Sequence, residues 1–212
     1  EALHGVTPDN RDRLEGLQFV EKPKSPQELA IKFERDTQLL RLDIRDNPDS
    51  GRYWYYLGQT LANLGQSEGA ITALDRCSEM RDWDELAAWA CYVCAKSLAQ
   101  LELYDEAIER CATGLAIDAE FPELAWMAGW CYYRKRDFRQ AIVWSHMSIA
   151  LGCVAGIGHS IQRLGFRDLS GWYEGPFDIL YHAYAQLGDP PASQQAQQDY
   201  QNAIRLRTQR GD

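Results

Sequence analysis

A pattern of large and small residues that recurs along the chain constrains its fold more than any other feature. Trp54, Leu57, Gly58 and Leu61 follow one another at the spacing of a single helical stripe. Alanines stand at matching places in successive units, at positions 70, 107 and 141. The second and third of these alanines are 34 residues apart, and the first and second are 37 apart. Because one unit cannot bury its stripe alone, successive helix pairs are expected to stack on one another.

The order of these residues resembles the tetratricopeptide repeat, whose signature W-x2-L-G-x2-Y recurs about every 34 residues. Leu61 stands here where the signature has tyrosine. The resemblance covers residues 51–151 and extends more loosely over residues 176–207. It implies an all-α fold, a right-handed superhelical solenoid of antiparallel helix pairs.

The limits of the repeat pattern predict how the chain is organised. Ser25-Pro26-Gln27-Glu28 has the form of a capping box with proline in the first turn, so a capping helix is expected before the repeats. Glycines scattered between residues 152 and 175 break the pattern and predict an irregular insertion. The predicted segments are a linker or remnant of an upstream domain (1–24), the capping helix (25–50), three repeat units (51–151), the insertion (152–175), a degenerate fourth pair (176–207) and a tail (208–212).

Composition and charge exclude several classes of function. The chain has 31 acidic and 22 basic residues, and its net charge of −9 argues against nucleic acid as a partner. No run approaches the ~18 uninterrupted apolar residues of a membrane span. Six cysteines without a disulfide framework, and no signal peptide, predict a reducing, cytoplasmic environment. Because the chain begins at Glu1 rather than methionine, we expect it to be part of a longer protein.

Short motifs that could carry chemistry each have a structural explanation as well. Cys91 and Cys94 have the spacing of a redox or zinc pair, but no second pair accompanies them, so they are expected in the core. Asp82-Trp83-Asp84 could hold a divalent cation, although a turn with Asp84 as helix N-cap is favoured. The basic residues 134–136 are expected at a solvated turn. We therefore predict no metal site and no cofactor.

Aromatic and polar residues in the first helix of each unit indicate a binding surface. Tyr55, Tyr92 and Trp126 occupy related places, and amide, cationic or aromatic side chains follow at intervals of four residues. In the arrays that this chain resembles, this face lines a concave groove, and its mixture of rings, amides and cations suits an extended peptide. The alternative is packing between adjacent repeats, above all for Tyr55 and Tyr92. The predicted peptide-binding residues are Tyr55, Gln59, Asn63, Tyr92, Lys96, Trp126, Trp130, Tyr133 and Arg134.

A second resemblance covers nearly the whole chain. The sequence is similar to the C-terminal tetratricopeptide region of bacterial and phage family-2 glycosyltransferases. The motifs that carry this similarity are Glu1-Ala2-Leu3, Arg35-Asp36, Leu39-Leu40, Asn47-Pro48-Asp49, Arg52-Tyr53-Trp54-Tyr55-Tyr56-Leu57-Gly58, Asp82-Trp83-Asp84-Glu85 and Gly175-Pro176-Phe177-Asp178-Ile179-Leu180. It implies that a parent chain is a glycosyltransferase. The catalytic half of that family has no counterpart here, so no catalytic residue is assigned.

Three hypotheses for function follow. The leading one is a non-catalytic interaction module that holds a peptide, a protein substrate or the upstream domain of the same chain in its groove. The second is part of an active glycosyltransferase, in which His159, Arg163 and Glu174 of the insertion contribute to a site. The third is a structural module that self-associates as a homodimer, as exposed ends of repeat arrays can do.

Overall fold

A computed structural model describes residues 24–81, 83–154, 156 and 166–212 of the chain. These residues form helices without any strand. In chain order the helices are α1 Pro26–Asp46, α2 Gly51–Asn63, α3 Ser67–Glu79, α4 Asp84–Gln100, α5 Tyr104–Ile117, α6 Pro122–Arg134, α7 Phe138–Leu151, α8 Leu169–Trp172, α9 Gly175–Leu187 and α10 Pro190–Arg210.

The first helix begins where its capping residues are. The Ser25 hydroxyl accepts a hydrogen bond from the Glu28 amide (3.2 Å), and the Glu28 carboxylate accepts one from the Ser25 amide (2.7 Å). Both bonds satisfy amides that a helix leaves without an internal partner. Pro26 fits the first helical position, which needs no amide donor. The helix ends at Asp46, shortly before Pro48.

Adjacent helices pack in pairs, and the pairs stack. Close contacts join α2 to α3, α4 to α5, α6 to α7 and α9 to α10. α4 also contacts both α2 and α6, whereas the described helices show no comparable contact between α3 and α5 or between α5 and α7. α2, α4 and α6 therefore form a continuous layer on the concave side, which we call the inner layer. This arrangement confirms the predicted all-α solenoid.

Small residues allow each pair to approach closely. Ala70, Ala107 and Ala141 are fully buried at the contacts within the three pairs. In the first pair, a Cβ atom on Gly58 would lie 2.5 Å from Cγ of Leu74 and 3.2 Å from the Ala70 carbonyl oxygen. The side chain of Leu74 fills the space that Gly58 leaves open, because protein interiors are close-packed.

The chain between α7 and α9 contains a short helix that was not predicted. α8 is tied to the solenoid because Ser148 donates a hydrogen bond to the carbonyl oxygen of Gly171 (3.1 Å) as well as to that of Pro122 (3.0 Å). The Cys153 amide donates to the carbonyl oxygen of Trp172 (2.8 Å). These bonds hold α8 against α6 and α7.

Replacing Gly58 by alanine tests the close contact in the first pair. We expect Gly58→Ala to lower the free energy of unfolding by about 1–3 kcal/mol, because the added methyl group meets Leu74 and the α3 backbone. Urea denaturation followed by circular dichroism measures the change. Gly69→Ala is the matched control: it lies exposed on α3, its nearest atom is the tip of Leu61 at 3.3 Å, and alanine favours the helix. Equal stability of the two variants would contradict the packing argument.

Candidate functional site

An open cavity of about 390 Å³ lies between α4, α5 and α6. We call it the aromatic cavity. Trp126 and Trp130 come from successive turns of α6, Tyr104 from the start of α5, and Tyr92 from α4. Four-residue spacing places both tryptophans on one side of their helix, which is why the local sequence builds this wall. Its other lining residues are Lys96, Ala99, Gln100, Glu102, Met127 and Arg134.

Two cations lie over the rings of this cavity. The Arg134 guanidinium is 4.9 Å from the centre of the Trp130 ring and 5.3 Å from that of Tyr104. The Lys96 ammonium is 5.3 Å from the ring centre of Tyr92. Contacts of this type are worth about 0.5–1 kcal/mol at exposed sites and hold the charged groups in place. The cavity therefore combines an apolar wall with positive charge at its edge.

A second and more polar cavity, of about 510 Å³, adjoins the first. We call it the polar cavity. Tyr92, Lys96 and Gln100 line both cavities, so the two share a boundary on α4. The remaining lining residues are Gln59, Ala62, Asn63, Trp89, Val93, Ser97, Arg167, Asp168, Leu169, Ser170 and Arg207.

Tyr55 and Tyr92 are buried within the inner layer, with only 2% and 1% of their surface exposed. The hydroxyl of Tyr55 accepts hydrogen bonds from the Trp89 indole (3.0 Å) and the Gln59 amide (2.9 Å). Burial raises the pKa of Tyr55 to about 12. Burial, and then the Asp168 carboxylate, raise the pKa of Tyr92 still further. Tyr55 is therefore a packed residue between α2 and α4 and lines neither cavity.

Residues 166–172, which we call the docked segment, lie on the inner layer. Phe166 contacts the rings of Tyr55, Trp83 and Trp89. The hydroxyl of Tyr92 donates a hydrogen bond to the Asp168 carboxylate (2.7 Å).

Further along the docked segment, buried Glu123 of α6 accepts hydrogen bonds from the Asp168 amide (3.2 Å) and the Trp172 indole. Gly171 and Gly175 bring the backbone against Trp126, where a Cβ on Gly175 would lie 2.6 Å from the indole.

The structure brings most of the predicted binding residues together. Tyr92, Lys96, Trp126, Trp130 and Arg134 line the aromatic cavity, and Gln59 and Asn63 line the polar one.

Tyr133 lies apart from both cavities. It is half-buried, and its ring centre is 5.6 Å from that of Phe138 and 6.2 Å from that of His182. Sequence reasoning missed Trp89, which precedes Tyr92 by one helical turn and could have been found from that spacing. It also missed Phe166, Asp168 and Glu123, for which no local signal exists.

The other motifs have structural places. Trp83, rather than the expected Asp84, is the N-cap of α4, and Asp84 pairs with Arg81 (3.0 Å). Asp82, His159 and Arg163 lie outside the described residues. Glu174 accepts a hydrogen bond from Arg207 (2.7 Å). Within the described ranges no group of three or more His, Cys, Asp or Glu side chains could hold a metal ion.

All six cysteines are buried. Burial raises the pKa of the Cys91 thiol to about 11 and that of Cys131 to about 12. Burial also raises the pKa of Cys94 and of Cys111 well above the ordinary thiol range. Since the thiolate is the reactive form, these positions are those of packed core residues rather than of a redox pair.

Thiol accessibility tests this placement. With a disulfide reagent such as DTNB at pH 8, we expect the native protein to react at least a hundredfold more slowly than the urea-unfolded chain, because access and ionisation are both suppressed. Absorbance of the released thiolate gives both rates, and the unfolded chain serves as its own control by releasing the full count of six. Rapid reaction of two native thiols would contradict the burial of Cys91 and Cys94.

Comparison with known proteins supports the repeat assignment. A family model described as a tetratricopeptide repeat matches residues 51–82. None of the curated proteins shows a significant sequence match. Residues 51–82 are therefore similar to one tetratricopeptide repeat.

Solved structures resemble most of the fold. The crystal structure of MamA superposes with a TM-score of 0.62 at 13% identity, covering 90% of this chain and 99% of that one. MamA 41-end from Desulfovibrio magneticus RS-1 gives a TM-score of 0.58 at 14% identity, with 87% and 98% covered. PilF of Pseudomonas aeruginosa gives 0.54 at 13% identity, with 80% and 70% covered. At these identities the likeness shows the solenoid fold alone. Among the described residues, no helix has the length and apolar character that crossing a membrane requires.

Proposed function

We propose that this chain is a non-catalytic interaction module that binds an extended peptide, or an extended segment of a protein, along its inner layer. The aromatic cavity is the observation that carries this proposal: tryptophans of α6 and cations of α4 and α6 converge on one open cleft. Repeat solenoids typically use such concave surfaces to hold partners.

The chemistry of the cleft suggests what a partner presents. Trp126 and Trp130 offer apolar contact area, which favours an aromatic or aliphatic side chain as anchor. Lys96 and Arg134 stand at the edge, where they favour a neighbouring carboxylate. Their existing acidic neighbours are Asp168 at 3.5 Å and Glu102 at 3.8 Å, and both ion pairs are partly exposed. An acidic group on a partner can therefore exchange with them at little cost.

The proposal extends to a longer protein of which this module would be a part. The similarity to the C-terminal region of family-2 glycosyltransferases leads us to propose a cytoplasmic bacterial or phage protein in which this module follows a transferase domain. The groove would then hold that protein's substrate or its own upstream domain.

Self-association is a second candidate, and α1 is the observation that favours it. Ile31, Leu39 and Leu42 are exposed large apolar side chains on this helix. Exposed apolar patches often mark contact surfaces. Light scattering at two concentrations distinguishes the candidates, because a homodimer through α1 would double in mass on concentration and a monomeric module would not.

A substitution in the aromatic cavity tests peptide binding. Peptides would be selected from a random phage-displayed library on the wild-type chain, and their affinities measured by fluorescence anisotropy. We expect Trp130→Ala to weaken the selected peptides at least tenfold, because the residue forms one wall of the cleft. We also expect the selected sequences to pair an apolar anchor with an acid.

Val143→Ala is the matched control, since Val143 is 60% exposed on α7 and lines neither cavity. It should leave the affinities unchanged. The proposal fails if no peptide is enriched, or if Trp130→Ala, folded by circular dichroism, binds the selected peptides as tightly as the wild type does.

A further inference from the structure

The docked segment shows which side chain the first part of the inner layer accepts. Phe166 sits among three aromatic rings, with ring-centre distances of 5.3 Å to Tyr55, 5.3 Å to Trp83 and 5.9 Å to Trp89. Such separations are those of favourable ring contacts, worth about 0.5–1.5 kcal/mol each beyond the area that they bury. The three rings come from α2, from α4 and from the turn before α4. They form a cage for one aromatic side chain.

The same layer binds the carboxylate of Asp168, two residues after Phe166. Tyr92 donates to the Asp168 carboxylate at 2.7 Å, and the Lys96 ammonium is 3.5 Å from the same oxygen. The layer also binds the main chain of the segment, because the Asp168 amide donates a hydrogen bond to the Glu123 carboxylate (3.2 Å). Asp168 has extended backbone angles (φ −109°, ψ 101°). In an extended chain, residues i and i+2 point to the same side, so the ring and the acid face the layer together.

We infer that the inner layer is a recognition site for an extended segment that carries an aromatic side chain two residues before a carboxylate, and that Phe166–Asp168 of this chain occupies it. This inference rests on the proposed function and gives that function a ligand chemistry. A partner segment of this kind, supplied by another protein, competes with the docked segment. Its measured affinity is then its intrinsic affinity multiplied by the fraction of molecules in which the site is vacant.

The contacts that hold the docked segment allow a competing segment to displace it. The inner layer holds the acid of the docked segment by one hydrogen bond and one ion pair, both of which a partner's carboxylate can replace. The Asp168 side chain keeps 26% of its surface exposed, so a competitor can reach the site. The aromatic cavity begins on the other side of Tyr92 and Lys96, which gives a longer partner further surface beyond the acid.

The test uses a fluorescein-labelled synthetic peptide with the sequence of residues 166–172, Phe-Arg-Asp-Leu-Ser-Gly-Trp. Its binding is measured by anisotropy to the wild-type chain and to the double variant Phe166→Ala/Asp168→Ala. We expect at least tenfold tighter binding to the double variant, because its own segment no longer places a ring in the cage or a carboxylate against Tyr92. Adding Tyr92→Phe to that variant should weaken binding at least fivefold. Replacing phenylalanine by alanine, or aspartate by asparagine, in the peptide should also weaken its binding to the double variant at least fivefold.

Equal binding of the parent and substituted peptides, or equal binding to the wild type and the folded double variant, would overturn the inference. Should the double variant fail to fold by circular dichroism, Asp168→Asn is measured with the same peptide and must still bind it more tightly than the wild type. The two proposals can fail separately. If library peptides bind and their binding depends on Trp130, the proposed function stands even when the 166–172 peptide does not bind the double variant.

Discussion

The hydrogen bond from buried Tyr92 to Asp168 joins the repeat array to the chain that follows it, and the site depends on it. Tyr92 belongs to the second pair and Asp168 to the N-cap of α8, 76 positions later. A buried phenol needs a partner, since leaving it unsatisfied costs about 1–3 kcal/mol. Asp168 supplies that partner and also caps α8, whose Gly171 lies against Trp126. The Asp168 carboxylate thereby joins α4 to the docked segment, and Asp168 itself lines the polar cavity.

The solenoid supplies the rigid surface on which this bond acts. Close contacts at Gly58 and at the buried alanines bring the paired helices together, and stacking places α2, α4 and α6 side by side. Aromatic side chains on these helices then meet across pairs, as Tyr55 and Trp89 do through their hydrogen bond. Because the layer is built from packed helices, its cage and cavities are preorganised, which reduces the entropy that a partner must lose on binding.

Local sequence predicts the parts of this structure that depend on local physics. Helical stripes and the capping box of Ser25 give the helices, and the four-residue spacing of Trp126, Trp130 and Arg134 gives one wall of the cleft. Long-range contacts have no such signal. Nothing near Phe166 or Asp168 indicates that they return to α4, and Tyr133, although adjacent to the cleft residues in sequence, faces Phe138 and His182 instead. A one-residue step on a helix turns a side chain by about 100°, which is enough to remove it from the site.

The central claim is that the inner layer itself receives the partner segment, and the indole resonances of the tryptophans report on this directly. In a ¹⁵N-labelled Phe166→Ala/Asp168→Ala chain, addition of the 166–172 peptide should shift the indole signal of Trp89, which lies in the cage. The indole signal of Trp54 should stay in place, because this indole donates to the Pro48 carbonyl oxygen (2.8 Å) and Trp54 lines neither cavity. If saturating peptide leaves the Trp89 indole signal unshifted, or shifts the Trp54 indole signal instead, the account is contradicted.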